Sequence, residues 1–394
     1  MPTVGCICEF NPLHNGHLTL LTRMRKLAGP DGTVICVMSG NAVQRAEFPL
    51  FSRSTRARAA LNCGADLVVE LPYPWCAASA QDFAECGVRI LADLGTDCLV
   101  FGSECGDVEI LRRLAYLMRT EYPEYRGRRR EESPSLGEAR LTAEYLESEA
   151  GFLPGPNDRL GMAYLYAVHV VNPSLQVETV RRPGACPSAP SATSLRERIR
   201  AGESLQSLGD EMPDAVVPLY GEELRIGTWS PHEGLTGVDT PILLFYRIAS
   251  PELLKNLYAM DSGLARRICR AANQSPDAQS FFRSLRTKRY TDAHLRRVLL
   301  YGLTGVESFD CYRRPHYTRL LGANGRGLRH LAALKKSDRE IPVLSKPADI
   351  PTDKMSRRQA EIERKLDTLY TLQLSVPIPT ETGKTQSPVI LLDS

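Results

Sequence analysis

Two histidines that flank a glycine stand close to the N-terminus, in the run EFNPLHNGH at residues 9–17. The run follows an apolar segment, residues 3–8, that predicts a β-strand, and it leads into a segment with helical spacing at residues 17–27. Where a strand passes into a helix in this way, free backbone N–H groups and the positive helix end favour a phosphate. Gly16 lets the backbone approach closely, and the imidazoles of His14 and His17 could hydrogen-bond an α-phosphate during nucleophilic attack. The pattern predicts a nucleotide site; two ordinary surface or capping histidines are the alternative.

A second polar run, SATSLR at residues 191–196, follows a strand predicted at residues 175–180 and begins another helix. Ser or Thr commonly caps a helix N-terminus, and such a cap is the simpler interpretation of this run. If the turn faces the histidines, Thr193, Ser194 and Arg196 could hold the β- and γ-phosphates. We therefore expect the two runs to converge on one triphosphate across the mouth of a sheet.

The first 200 residues alternate between short apolar runs and longer segments with helical spacing, which is typical of a parallel sheet covered by helices. The predicted strands are residues 3–8, 34–38, 66–70, 97–101 and 175–180, and the predicted helices are residues 17–27, 52–63, 80–91, 108–118, 138–149 and 159–170. The fold class is therefore predicted to be α/β and Rossmann-like. The charged stretch at residues 126–132 interrupts the alternation and is predicted to be an exposed connection.

The second half of the chain has a different pattern. Beyond about residue 200 the strand signals fade, and segments such as residues 251–273 and 292–303 have helical periodicity. From residue 375 the chain is rich in Pro, Thr, Ser and Gln without an apolar period. We predict an α/β domain at residues 1–202, a mainly helical domain at residues 203–374 and a disordered tail at residues 375–394.

The charge of the chain is concentrated in one region. Residues 255–339 hold 18 Lys or Arg and 6 Asp or Glu, a balance of +12, whereas the whole chain carries +3. Cations beside an aromatic ring suit RNA phosphates and unstacked bases, although basic helices are also often merely solvated. The predicted RNA-binding residues are Arg286, Lys288, Arg289, Tyr290, Arg296 and Arg297.

The cysteines and the apolar runs indicate the compartment. Eleven cysteines are scattered without a CxxC pair, so we expect reduced core residues and no metal site. Cys6 and Cys8 should share one face of the first strand. No signal peptide and no run long enough for a membrane span is recognised, so a cytoplasmic location is expected.

Several further runs, together with the two above, carry a family resemblance. They are Ser39-Gly40 with Gln44-Arg45, DLVVELP at residues 66–72, FGSE at residues 101–104, Pro156-Asn157 and TKRYT at residues 287–291. Together with GCICEFNPLHNGH and SATSLR, they resemble the bacterial tRNA(Met) cytidine acetate ligase family of the HxGH nucleotidyltransferase superfamily. The resemblance extends to about residue 345. It implies a Rossmann-like nucleotidyltransferase domain followed by a mainly helical C-terminal domain.

The resemblance also implies an activity and its partners. It implies an ATP-dependent ligase that forms N4-acetylcytidine at the wobble position of elongator tRNA(Met) from acetate, through an acetyl-adenylate. Mg²⁺ with unidentified ligands is expected with the ATP, and no stable protein partner is implied. Catalytic roles would fall to His14, His17 and Arg196. The implied ATP-binding residues are Val4, Gly5, Cys6, Ile7, Cys8, Glu9, Phe10, Asn11, Pro12, Leu13, His14, Asn15, Gly16, His17, Gly102, Asn157, Arg181, Arg182, Thr193 and Ser194.

The chain departs from the family pattern in two places, and two other functions stay open. The segment at residues 183–190 is shorter than the family's usual loop, and Asn41 stands where a histidine is common. One alternative is an adenylyltransferase acting on a small metabolite, which would not need the basic region. The other is a non-catalytic RNA-binding protein with a nucleotidyltransferase-like fold, which would not need intact phosphate-binding residues.

Overall fold

Five parallel strands carry the predicted nucleotide site. The structure is a computed structural model that describes residues 1–133, 136–182, 191–287, 290–311, 314–334, 339–379 and 387–391. The strands are β1 (Thr3–Cys8), β2 (Thr33–Ser39), β3 (Leu67–Leu71), β4 (Cys98–Ser103) and β5 (Gln176–Arg181), in the order β5-β4-β1-β2-β3. β1 and β2 pair along their whole length, and β1 also pairs with β4. The strand order reverses beside β1, and ligands of open α/β sheets bind at such a switch point.

Helices cover the sheet, as the alternating pattern predicts. In the first half they are α1 (Asn15–Ala28), α2 (Arg53–Asn62), α3 (Ala80–Asp93), α4 (Val108–Thr120), α5 (Tyr122–Glu132), α6 (Glu138–Ala150), α7 (Pro156–Val171) and α8 (Ala192–Arg200). β1, β2 and β3 are buried throughout, as expected for strands covered on both faces. The α/β, Rossmann-like prediction is confirmed. The stretch at residues 126–132 is mostly exposed, as predicted, but it is not a loop. It lies in α5, where Arg129 pairs with Glu132 and with Glu144 of α6.

The second half is mainly helical but also extends the sheet. Its helices are α9 (Val217–Ile226), α10 (Asp239–Ile248), α11 (Pro251–Leu254), α12 (Ser262–Gln274), α13 (Ala278–Leu285), α14 (Asp292–Thr304), α15 (Gly325–Leu334) and α16 (Lys354–Leu372). β6 (Thr318–Asn324) pairs antiparallel with β3, and β7 (Val343–Leu344) and β8 (Val389–Leu391) pair with β6. The division into three parts stays a prediction, with one correction. Part of the predicted disordered tail is a strand, because β6 offers it an edge for backbone pairing.

One buried arginine holds the ends of two strands together. Arg56 of α2 is fully buried, and its guanidinium donates to the carbonyl oxygens of Glu9 at 2.8 Å, Ser39 at 2.9 Å and Phe51 at 3.0 Å, and to that of Gly40. Glu9 follows β1, and Ser39 ends β2. The side chain therefore fixes the two loops that leave the central strands on the side of the predicted site.

A buried network of acids and arginines joins β3 to the C-terminal helix α16. The carboxylates are those of Glu70, Glu363 and Asp367, and the cations are Arg53, 3.3 Å from both Glu70 and Asp367, and Arg319, 2.5 Å from Glu363. Three carboxylates therefore face two guanidinium groups. Burial and the charge of Glu70 raise the pKa of Glu363 to about 7, against the pull of Arg319. One proton bound near Glu363 would balance the network.

Glu363→Gln is expected to flatten the pH dependence of stability. An unfolded Glu titrates near about pH 4.3, so the folded protein binds more protons between there and about pH 7, and the free energy of unfolding falls as pH rises. The fall should be on the order of 2 kcal/mol. Urea unfolding from about pH 5 to pH 8 measures it. The control Glu361→Gln, at an exposed site on α16, should keep the slope. A Glu363→Gln variant with the unchanged slope would contradict the assignment.

Candidate active site

The N-terminus of α1 fixes both imidazoles in one tautomer. Nδ1 of His14 accepts the Gly16 N–H at 3.0 Å, and Nδ1 of His17 accepts the His14 N–H at 3.3 Å. A neutral imidazole that accepts at Nδ1 carries its proton at Nε2. The rings lie side by side with centroids 4.0 Å apart. A side chain at Gly16 would place its Cβ 2.8 Å from the His14 ring, so this turn requires glycine.

His14 presents a buried donor that nothing in the described part of the chain satisfies. The residue is 1% exposed, and its Nε2 has no hydrogen-bond partner. A buried polar group left unpaired costs about 1–3 kcal/mol, so native structures seldom retain one without a reason. A phosphate oxygen bound at this helix N-terminus would accept that N–H. The residues present therefore fit a nucleotide phosphate.

Both imidazoles are neutral at physiological pH. Burial, with a smaller contribution from the charge of Arg182, lowers the pKa of His14 to about 4. Burial and the neighbouring His14 and Arg182 hold the pKa of His17 well below its ordinary value. The two rings can therefore donate N–H groups to a phosphate, but they carry no positive charge of their own.

The predicted residues of β4, β5 and α7 come together beside the histidines. NH1 of Arg182 donates to Oδ1 of Asn157 at 3.4 Å, and Nδ2 of Asn157 donates to Glu104 at 2.6 Å. A Cβ on Gly102 would lie 3.0 Å from the Arg182 side chain, so glycine leaves room for it. Arg181 is exposed at the end of β5. The two arginines of the predicted basic pair therefore have different surroundings. The charge of Arg182 acts on the imidazoles, whereas Arg181 faces solvent.

The SATSLR run contacts the histidine run. NH1 of Arg196 donates to the Asn11 carbonyl at 2.8 Å, and its NH2 donates to Oγ1 of Thr193 at 3.2 Å. Ser191 caps α8 by accepting the Ser194 N–H at 3.1 Å. The capping interpretation therefore holds for Ser191, and the expected meeting of the two runs is also observed. Residues 183–190, the shortened family loop, lie outside the described residues.

Several predicted nucleotide-binding side chains are buried inside the fold. Val4, Cys6, Ile7 and Cys8 are at most 8% exposed and pack in the core, because β1 is covered on both faces. Any contact of these four residues with a nucleotide would come from the backbone, and their assignment stays a prediction. The Sγ atoms of Cys6, Cys8 and Cys36 lie within 4.8 Å of one another, so the two strand cysteines do share a face.

The remaining residues of the run shape the loop. Oδ1 of Asn11 accepts the Leu50 N–H at 2.8 Å, and the side chain of Asn15 donates to the Asp210 carbonyl at 2.9 Å. Phe10 takes a left-handed φ of 46°, which is uncommon for a bulky residue and occurs where function constrains the backbone. These contacts set the path of the chain between β1 and α1.

Sequence reasoning missed two residues that hold the loop from outside. The Leu13 N–H donates to the buried Tyr220 hydroxyl at 2.9 Å, and the Tyr220 ring stacks on Phe51. Arg56 holds the Glu9 carbonyl, as described above. Tyr220 is 207 residues away in sequence, and no local pattern connects the two positions. Glu104 lies in the FGSE run, which was recognised, but its contact with Asn157 was not expected.

The predicted RNA-binding residues divide into three groups. Arg286 is exposed and pairs with Asp292 at 2.8 Å, and the Tyr290 ring stacks on His294. Lys288 and Arg289 lie outside the described residues. Arg296 pairs with Glu47 at 2.7 Å, and Arg297 is 8% exposed.

The prediction for Arg297 is corrected, because its guanidinium is used inside the protein. Nε of Arg297 donates to the Ala77 carbonyl at 2.6 Å, and its NH2 donates to the Gln44 carbonyl at 3.1 Å. Arg296 of the same helix donates to the Arg45 carbonyl at 3.2 Å. These contacts attach α14 to the loops that leave β2 and β3. α14 is thereby placed next to the candidate active site.

The fold and the site agree with the comparisons to known proteins. A family profile described as HIGH Nucleotidyl Transferase matches residues 1–385. The chain belongs to this family of nucleotidyltransferases.

Relatives and a solved structure narrow the class. The chain is 33% identical to the tRNA(Met) cytidine acetate ligase of Acetivibrio thermocellus, over 99% of this chain and 100% of that protein. It is 33% identical to the Staphylococcus aureus protein of the same name, over 85% of this chain and 87% of the relative. The crystal structure of Thermotoga maritima TmcAL bound with alpha-thio ATP matches with a TM-score of 0.86 at 26% identity, covering 100% of both chains. Within the nucleotidyltransferases, the chain belongs to the tRNA(Met) cytidine acetate ligase family.

Within the described residues, no helix is both long and apolar enough to span a bilayer.

Proposed function

We propose that this protein is an ATP-dependent ligase that forms N4-acetylcytidine at the wobble position of elongator tRNA(Met) from acetate. The relatives that carry this name align with nearly the whole chain, and a related structure holds an ATP analogue. The observation that carries the proposal is the unsatisfied buried Nε2 of His14 at a helix N-terminus. A phosphate ligand accounts for that donor, and a protein that had lost its chemistry would have no need to retain it.

The first step activates acetate. An acetate oxygen attacks the α-phosphorus of ATP, pyrophosphate leaves, and an acetyl-adenylate remains. The Nε2–H groups of His14 and His17 would donate to the α-phosphate oxygens, where charge develops in the transition state. Arg196, with Thr193, Ser194 and the N-terminus of α8, would hold the departing phosphates. Arg182, positioned by Asn157, would add positive charge on the β5 side of the site.

The second step transfers the acetyl group to RNA. The exocyclic amine of cytidine attacks the acetyl carbon, and AMP leaves. The basic region that includes Arg286, Lys288, Arg289 and Tyr290 would bind the tRNA. Mg²⁺ would accompany the triphosphate, because Mg²⁺ commonly binds substrate phosphates and keeps several waters. The reaction is proposed to take place in the cytoplasm.

Arg289→Ala is expected to weaken tRNA binding while ATP binding is unchanged. Removing one phosphate contact should reduce the slope of log affinity against log salt by about 1. Filter binding across a salt series measures this, with ATP affinity determined in parallel. Arg58→Ala, at an exposed arginine of α2, is the control and should leave both unchanged. Equal loss of ATP and tRNA binding in Arg289→Ala would show that the two regions do not divide the task.

Labelled acetate tests the proposed function directly. The protein, incubated with ATP and labelled acetate, should exchange pyrophosphate into ATP without RNA and should label tRNA(Met) with release of AMP. An adenylyltransferase for a small metabolite would give neither acetate-dependent exchange nor labelled RNA. A non-catalytic RNA-binding protein would bind tRNA and turn over no ATP. The near full-length relatives favour neither alternative.

A further inference from the structure

We propose that the Glu9 carboxylate accepts the proton that the cytidine amine loses during acetyl transfer. The inference rests on the proposed function and assigns a catalytic role for its second step. The carboxylate belongs to the first residue after β1, at the carboxyl edge of the sheet and at the strand-order switch beside β1.

Two hydrogen bonds hold Glu9 in place, and only one of them involves its carboxylate. Its backbone carbonyl accepts from Arg56 at 2.8 Å, and its Oε1 accepts the Gln44 N–H at 2.8 Å. Within the described residues Oε2 accepts no hydrogen bond, and the residue keeps part of its surface exposed. One oxygen therefore orients the group, and the other can receive a proton.

Glu9 lies between the nucleotide-holding groups and the helical region. The positive charge of Arg196 acts on it from α8. On its other side, the carbonyl of Gln44, whose N–H it accepts, is bound by Arg297 of α14. Arg286 and Tyr290 of the basic region precede α14 in the chain, and α14 contacts the loop that holds Glu9. RNA bound at those residues would therefore lie on the same side of the site as this carboxylate.

The chemistry of the second step needs a base. The lone pair of the exocyclic amine is delocalised into the cytosine ring, so the amine is a weak nucleophile until its proton is removed. As N4 bonds to the acetyl carbon, the bond from that carbon to the phosphate oxygen breaks. AMP leaves with the electron pair, and the N4 proton passes to Oε2. No other reactant is required.

The two histidines are unsuited to this task. Both Nδ1 atoms accept backbone N–H groups, and both Nε2 atoms carry protons, so neither ring offers a free lone pair. Glu9 differs, because burial raises the pKa of its carboxyl despite the Gln44 N–H and the cation Arg196. A base whose pKa is nearer the working pH is the more effective proton acceptor. The charged and titratable groups that act on Glu9, or on which it acts, are Arg56, Arg196, Glu47, Tyr164 and Cys76.

Glu9→Gln separates the two steps. The kcat for acetyl transfer to tRNA should fall about 10²–10⁴-fold, and acetate-dependent pyrophosphate exchange should fall by a much smaller factor. The wild-type transfer rate should fall at low pH as Glu9 becomes protonated, and this fall, the acid limb of the pH profile, should disappear in Glu9→Gln. Glu9→Asp keeps a carboxylate and should retain that limb at a reduced rate. Thermal unfolding of each variant checks that the fold is intact.

Glu47→Gln is the matched control, because Glu47 is a neighbouring carboxylate that pairs with Arg296 and not with the reacting groups. It should keep the transfer rate. Its acid limb should move to lower pH, since the negative charge of Glu47 raises the pKa of Glu9.

The possible outcomes distinguish a failure of this inference from a failure of the proposed function. Absence of both exchange and transfer in the unchanged protein would refute the proposed function. An active protein whose Glu9→Gln variant transfers acetyl normally would overturn only the role of Glu9. Equal loss of exchange and transfer in that variant would also overturn it, because Glu9 would then serve the nucleotide.

Discussion

His14→Ala should reduce acetate-dependent pyrophosphate exchange about 10²–10³-fold, the usual effect of removing one preorganised donor from a developing charge. The wild-type Nε2–H is buried and has no partner in the described part of the chain, so it is available to the α-phosphate before ATP arrives. Because it acts on the transition state, we expect the loss mainly in kcat. Steady-state exchange kinetics at varied ATP concentration measure kcat and KM separately.

A second histidine provides the control, and NMR tests the charge state. His169→Ala, at an exposed position of α7, should leave exchange unchanged. With a pKa of about 4, the His14 ring in the ligand-free protein should show no titration from pH 8 down to about pH 5.5. Normal exchange in His14→Ala would refute the role assigned to its Nε2. A ring that titrates near neutral pH would show that His14 acts as a cation instead.

Arg56→Met should lower the free energy of unfolding by about 3–5 kcal/mol, because it removes the donor of four carbonyl groups, and an unsatisfied buried acceptor costs about 1–3 kcal/mol. Methionine fills much of the volume but leaves the carbonyls of Glu9, Ser39, Gly40 and Phe51 without a donor. Each unpaired buried acceptor adds to the cost. Lysine would keep the charge, but its ammonium has three donors and lacks the planar fork. Urea denaturation measures the change.

The exposed Arg58, two residues along α2, is the matched comparison. Arg58→Ala should change stability by no more than about 0.5 kcal/mol, as is usual at the surface. A loss for Arg56→Met no larger than that of Arg58→Ala would mean that the strand ends do not depend on this guanidinium.

Local patterns were enough to predict the catalytic half. Apolar runs of strand length, each followed by helical spacing, place β1 to β5 within a few residues of their observed bounds. The strand-to-helix turn at His14 and the cap at Ser191 have local signatures, so both phosphate-binding runs were found. The family resemblance added Gly102, Asn157 and Arg182, which the structure brings beside the histidines.

What could not be predicted depends on contacts between distant segments. β6 is a strand because β3 offers it an edge about 250 residues earlier in sequence, and β8 in turn needs β6. Arg297 lies in a basic stretch that is typical of an RNA-binding region. Only the packing of α14 on the Gln44 loop reveals that this arginine is buried. The buried hydrogen bonds of Arg56 and the bond between Leu13 and Tyr220 also join distant residues, so a short stretch of sequence does not predict them.

The pairing of β6 with β3 has a consequence for how the two halves can exist. All five residues of β3 are buried, and Glu70 is the one charged residue among them. Charge therefore does little to discourage association through this strand. A catalytic half made alone would expose this apolar edge, which is a template for strand exchange between molecules. The second part of the chain thus covers this edge through β6, and we expect the first part, made alone, to associate through β3.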